Sequence, residues 1–197
     1  MRIVPPTAEN LTEAAALIRA GEVVAYPTET VYGLACDPFS TTAIEKLFAA
    51  KGRAESNPVL LIASNIDQVI QVVATISDNA RTYADRFWPG PLSMLFPKSD
   101  RVPAALCAGG PNVCVRIPAH ETARALCVAV GHAITSTSAN KSGEPPAASP
   151  HEIDLPGVAL CIDGGTLPPS QPSTIFDPDT RTILREGAIS KTSLLGP

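Results

Sequence analysis

Short runs of consecutive apolar residues alternate along this chain with stretches in which apolar positions recur every three or four residues. The runs predict strands at Val23–Tyr26, where Pro27 stops the run, and at residues 59–63, apolar throughout as suits a strand covered on both faces. Further strands are expected at 92–96, 113–117, 133–137, Val158–Ile162, 173–176 and Thr182–Arg185. The stripes predict helices. Asn10 with Glu13 reads as a capping box, followed by Ala14, Leu17 and Ile18 on one face and Gly21 as the stop. Thr42 with Glu45 opens a second helix that buries Ile44, Leu47 and Phe48 and ends at Gly52. Ser64 and Asp67 open a third bearing Ile66, Val69, Ile70 and Val73. A fourth carries Ala80, Tyr83, Ala84 and Phe87 until Trp88-Pro-Gly-Pro91 breaks it. A fifth covers about 121–130 before Gly131, and Ser149, Pro150 and Glu152 supply the cap, N1 proline and N3 acid of another helix start. Residues 97–112 read as mostly loop.

The order mixes β-α-β units with consecutive strands, especially towards the C-terminal end. It predicts an α/β fold with a twisted mixed sheet flanked by helices, in a single domain over residues 1–197 without internal repeats. Apolar residues at 45% and charged residues at 17% exclude a disordered chain. The net charge of −4 leaves no overall basic field to recruit nucleic acid. The five cysteines form no C-x-x-C pair and sit mostly in apolar runs, so reduced, buried thiols and a cytoplasmic setting are expected. No apolar stretch reaches the ~18 residues needed to span a bilayer, and Met-Arg-Ile-Val-Pro-Pro lacks the core of a secretory signal.

The chemistry is concentrated in a few polar segments. No phosphate loop, dinucleotide fingerprint, zincin motif or nucleophile elbow occurs. His120, His132 and His151 lack ligand spacing, so a protein-held metal is not expected. Pro27-Thr28-Glu29-Thr30 follows the first long strand, either to orient a small polar substrate or as a plain turn with Glu29 exposed. Lys51 and Arg53 flank Gly52, with Asn57 four residues beyond, either to grip phosphate or to answer a helix dipole. Arg116 has only apolar neighbours in Val113-Cys-Val-Arg-Ile117, and a half-buried guanidinium needs a carboxylate, the substrate's or the protein's own. Arg185 raises the same question, with Glu186 beside it. Ser136, Ser138 and Asn140 close a strand with hydroxyls and an amide, and Ser173-Thr174 opens another. Such cations, amides and hydroxyls suit a phosphate-bearing nucleotide better than a metal or a covalent nucleophile.

Seven segments, PTETVYGL (27–34), KGRAESNP (51–58), FWPGPLS (87–93), VRIP (115–118), TSAN-KSG (137–143), STI (173–175) and LREGAI (184–189), resemble in order the YrdC-type threonylcarbamoyl-AMP synthases of tRNA modification. The resemblance covers nearly the whole chain and is closest to the short, single-domain form. It implies a nucleotidyltransferase that joins L-threonine, bicarbonate and ATP into threonylcarbamoyl-AMP and pyrophosphate. Downstream transfer proteins would then modify adenosine 37 of tRNA. It also implies a YrdC-like sheet around a large concave pocket. Carried over by position, Thr30, Ile62, Arg116, Ser136 and Ser173 would surround threonine, with Arg116 on its carboxylate. Lys51, Arg53, Asn57, Ser138, Asn140 and Arg185 would hold ATP, with Mg²⁺ arriving on the phosphates, and Lys51 and Arg53 would act electrostatically. Ser136 stands in Thr135-Ser-Thr where many relatives carry Ala-Pro. Two other readings are a carbamoyl-adenylate-forming domain of the hydrogenase-maturation type and a non-catalytic module for double-stranded RNA, which a basic concave face would serve.

Overall fold

The apolar runs assemble side by side into one mixed sheet. In the computed structural model, which describes residues 1–52 and 57–196, the strands are β1 (Arg2–Val4), β2 (Val23–Tyr26), β3 (Gly33–Ala35), β4 (Leu60–Ile62), β5 (Leu92–Pro97), β6 (Asn112–Arg116), β7 (Ile134–Ser138), β8 (Val158–Ile162), β9 (Thr174–Asp177) and β10 (Thr182–Arg185). Their order across the sheet is β1-β8-β2-β3-β7-β4-β6-β5-β9-β10. The helices are α1 (Ala8–Arg19), α2 (Thr41–Lys51), α3 (Ile66–Ile70), α4 (Asp78–Phe87), α5 (Glu121–Val130) and α6 (Lys191–Leu195).

Strand alternation sends neighbouring residues to opposite faces, and an apolar cluster forms on each. On one face α1 and α5 contribute Ala14, Ile18, Leu126 and Val130, which pack with Val24, Tyr26, Ile62, Ile134 and Leu160. On the other, Leu47 and Phe48 of α2 and Ala84 of α4 join a larger core with Leu61, Met94, Val115 and Phe176. Arg116 is the register partner of Ile62, so it lies on the α1/α5 face. That cluster takes no residue from β6, β5, β9 or β10. Beyond β4 the same face stays open. Cys114, Leu95 and Ile175, which share it by register, are only half-buried.

The helix caps differ from those the sequence suggested. Thr7 caps α1, its Oγ1 accepting from the Asn10 N–H at 3.3 Å, while Asn10 turns its amide to the Pro5 carbonyl. Ser40 caps α2 instead of Thr42, and Asn65 caps α3 instead of Ser64. Each start offers two capping residues within three positions, and the extended one takes the role. The third stripe was read too long: α3 has five residues, and Ile66 and Ile70 are exposed. The start at Ser149 gives a single 3₁₀ turn, Pro150–Glu152, with no side-chain cap bond. Pro156 lies too close for a longer helix, because the residue before proline is driven out of helical geometry. A second 3₁₀ turn, Ala104–Cys107, interrupts the loop expected at 97–112.

Near the chain's end Gly187 crosses the backbone just before β9. A Cβ there would sit 2.1 Å from the Pro172 carbonyl oxygen and 2.9 Å from the Ser173 carbonyl carbon. Gly187→Ala is expected to destabilise the fold by about 3 kcal/mol, since rigid backbone must move. Urea unfolding measures this.

Candidate functional site

Arg116 ends β6 at 2% exposure, and its Nη1 donates to Glu29 Oε1 at 2.8 Å. The same oxygen accepts from the Ala119 N–H at 3.2 Å. The guanidinium's partner is therefore the protein's own carboxylate, from the turn between β2 and β3. That turn is not a plain exposed one, because the Glu29 side chain is 21% exposed. Thr28 builds it: its Oγ1 accepts from the Thr30 and Val31 N–H groups and donates to the Val31 carbonyl. The pair is incompletely satisfied. Glu29 Oε2, Arg116 Nε and the nearby His120 Nδ1 are buried without a hydrogen-bond partner among the described residues. Burial pulls the His120 pKa down despite the Glu29 charge, leaving the ring neutral at neutral pH.

Tyr26, fully buried beneath this pair, donates its hydroxyl to Ser136 Oγ at 2.7 Å. Burial raises its pKa, so the phenol stays a donor. Gly33 lies against its ring, where a Cβ would approach the Tyr26 Cζ to 3.0 Å. Ser136 is thus tied to the site by a residue that sequence reasoning treated only as strand. Thr30 is buried, its Oγ1 3.0 Å from Thr28 Oγ1. Ile62 is 0% exposed, beside Ile134 in the α1/α5 core, so it underlies the site without presenting surface.

Across the open face, Arg185 donates through Nε and Nη2 to the Ser173 carbonyl, at 3.2 and 2.8 Å, and through Nη2 to Ser173 Oγ at 3.2 Å. Ser93, not anticipated from sequence, donates to Ser173 Oγ at 2.9 Å. Desolvation and the charge of Arg116 both lower the Arg185 pKa, against the opposing influence of Cys114. Burial pushes the Cys114 thiol up to about 12 even beside both arginines, which keeps it neutral.

The second cluster lies at an adjoining edge. Tyr26, Gly33 and Ser138 are level across β2, β3 and β7, so the segments after Tyr26 and Ser138 leave the sheet together. Lys51, 3% exposed at the end of α2, donates to the carbonyl oxygens of Ser138 and Asn140, the latter at 2.9 Å, and to Asn140 Oδ1 at 3.4 Å. The Asn140 amide donates to the Glu144 and Lys141 carbonyls. Gly52, left-handed at φ 57°, turns the chain out of α2. Arg53 lies outside the described residues, and Asn57 resumes the chain as an exposed residue. A cavity of about 210 Å³ borders Asn140 and Lys141. Another, of about 230 Å³, lies between α4 and α6 at Arg86 and Arg181. Neither is lined by Arg116 or Arg185.

A family model for Sua5, YciO and YrdC proteins, described as telomere recombination, matches residues 16–187. The chain belongs to the Sua5/YciO/YrdC family. It is 41% identical over 167 residues to a threonylcarbamoyl-AMP synthase of Pyrococcus abyssi, covering 83% of this chain but 49% of that protein. It therefore spans about half the length of that relative. A threonylcarbamoyl-AMP synthase of Thiobacillus denitrificans is 41% identical over 172 residues, which make up 86% of this chain and 92% of that one. The crystal structure of P. abyssi Sua5 complexed with L-threonine superposes with a TM-score of 0.91 at 34% identity, over 99% of this chain and 60% of that one.

Proposed function

We propose that this family member forms threonylcarbamoyl-AMP and pyrophosphate from L-threonine, bicarbonate and ATP, for the modification of adenosine 37 in tRNA. The observation that carries the reading is Arg116, a buried cation on an open sheet face with its Nε unused. A carboxylate is the ligand that a guanidinium with spare donors binds best. The relatives are named for this reaction, and one was crystallised with L-threonine.

In this reading Arg116 takes the threonine carboxylate, flanked by Thr30, Ser136 and Ser173, with Ile62 as apolar floor. Lys51, Arg53, Asn57, Ser138, Asn140 and Arg185 serve ATP. Lys51 holds the Ser138–Asn140 segment in place, so its part includes shaping the nucleotide edge as well as supplying charge. Mg²⁺ enters on the ATP phosphates. The threonine N-carboxylate attacks the α-phosphate and pyrophosphate leaves. That step is limited by charge repulsion and alignment, which fixed cations and donors relieve without a covalent enzyme intermediate. Transfer of the product to tRNA then falls to other proteins.

Pyrophosphate release from ATP in Mg²⁺ and bicarbonate tests the proposal. Release is expected only with L-threonine. Release without threonine, or release driven by carbamoyl phosphate, would sink it.

A further inference from the structure

We propose that Glu29, besides pairing with Arg116, accepts the substrate's amine through its free Oε2 and takes the proton that the amine must lose before it can attack. The proposal rests on the amino-acid substrate assigned above and gives that reaction its base.

The argument starts from how the carboxylate is used. Oε1 is doubly occupied, by Arg116 Nη1 at 2.8 Å and the Ala119 N–H at 3.2 Å. Oε2 is buried and accepts nothing among the described residues. Leaving a buried charged oxygen unsolvated costs more than leaving a neutral one, so it marks a place for a donor. On the cationic side, Arg116 Nε is a buried donor without an acceptor. One ion pair thus has an unmet acceptor and an unmet donor. A ligand carrying a carboxylate and an ammonium on one carbon, an α-amino acid, satisfies both. A ligand with a carboxylate alone would leave Oε2 unmet.

The groups facing Glu29 decide whether it can act as base. Arg116 faces it from β6, and Tyr26 from β2 lies close enough to feel its charge. From the start of α5 comes His120, which feels Glu29, with Arg124 and Glu121 behind it. The buried Tyr26 phenol and the neutral His120 ring offer no competing anion. Glu29 is then the anionic oxygen beside the expected amine position.

The step balances as follows. The ammonium of threonine gives one proton to Glu29 Oε2. The freed nitrogen lone pair forms the N–C bond to the bicarbonate carbon. A second nitrogen proton leaves with the departing hydroxide as water, giving the N-carboxylate. Glu29 returns its proton to solvent after the product departs.

Glu29→Gln keeps the shape and the acceptor for Arg116 but cannot take a proton. At about neutral pH its threonine-dependent turnover is expected to fall about 10²-fold, with the KM for ATP unchanged. The deficit should shrink steadily as the pH rises, because alkali supplies threonine with its amine already neutral. Glu29→Asp, which keeps a carboxylate, should recover part of the neutral-pH rate. A deficit that is the same at every pH, or no deficit, would overturn the proposal and leave Glu29 as a prop for Arg116. A wild-type protein without threonine-dependent turnover would instead overturn the substrate assignment.

Discussion

Arg116→Ala should lose about 10³-fold in threonine-dependent pyrophosphate release, with the loss expressed mainly as weakened threonine binding. The same substitution should lower the unfolding free energy by about 2 kcal/mol, because it strands Glu29 as a largely buried anion. The figure is kept below the full cost of breaking a buried pair, since Glu29 is 21% exposed. Two effects from one residue invite a separation. Adding Glu29→Gln to Arg116→Ala removes the stranded charge and should restore most of the stability while activity stays lost. Urea unfolding and pyrophosphate release, measured on both variants, check this. Recovery of activity along with stability would overturn both Arg116 as the carboxylate anchor and Glu29 as the base.

Lys51→Met is the second large effect. The ammonium holds the Ser138 and Asn140 carbonyls and Asn140 Oδ1, so methionine leaves these acceptors without that donor in a buried setting. The segment that would line the nucleotide then loses its anchor along with a cation. Steady-state kinetics should show kcat/KM for ATP reduced about 10³-fold. Threonine affinity, measured by calorimetry without ATP, should change less than threefold, about the limit for sites that do not share partners. Equal losses for both ligands would show that the two clusters form one indivisible unit.

The fold was largely legible in the sequence because most elements announce themselves by period. Strands β2, β8 and β10 and helix α5 appear where the pattern put them. What escaped was short or locally ambiguous. Strand β1 has three residues, too few for a pattern, and β3 contains Gly33, which reads as a turn yet lies against the Tyr26 ring. In the candidate site, the cations and hydroxyls could be picked out by residue type. Their partners could not. That Arg116 meets Glu29, 87 positions away, and that Ser136 is held by Tyr26, 110 positions away, depends on sheet order. Ser93 lies in the FWPGPLS segment with no role assigned to it, and only the pairing of β5 with β9 brings it to Ser173. Ile62 shows the reverse: its position suggests a lining residue, while its burial makes it floor.

The most direct test of the central claim is to identify the adenylate itself. The protein is incubated with ATP, Mg²⁺, L-threonine and ¹³C-bicarbonate, and the nucleotide products are resolved by mass spectrometry. The account predicts threonylcarbamoyl-AMP carrying the heavy carbon, formed in step with pyrophosphate. An adenylate that lacks threonine, or one whose carbamoyl carbon stays unlabelled, would contradict it.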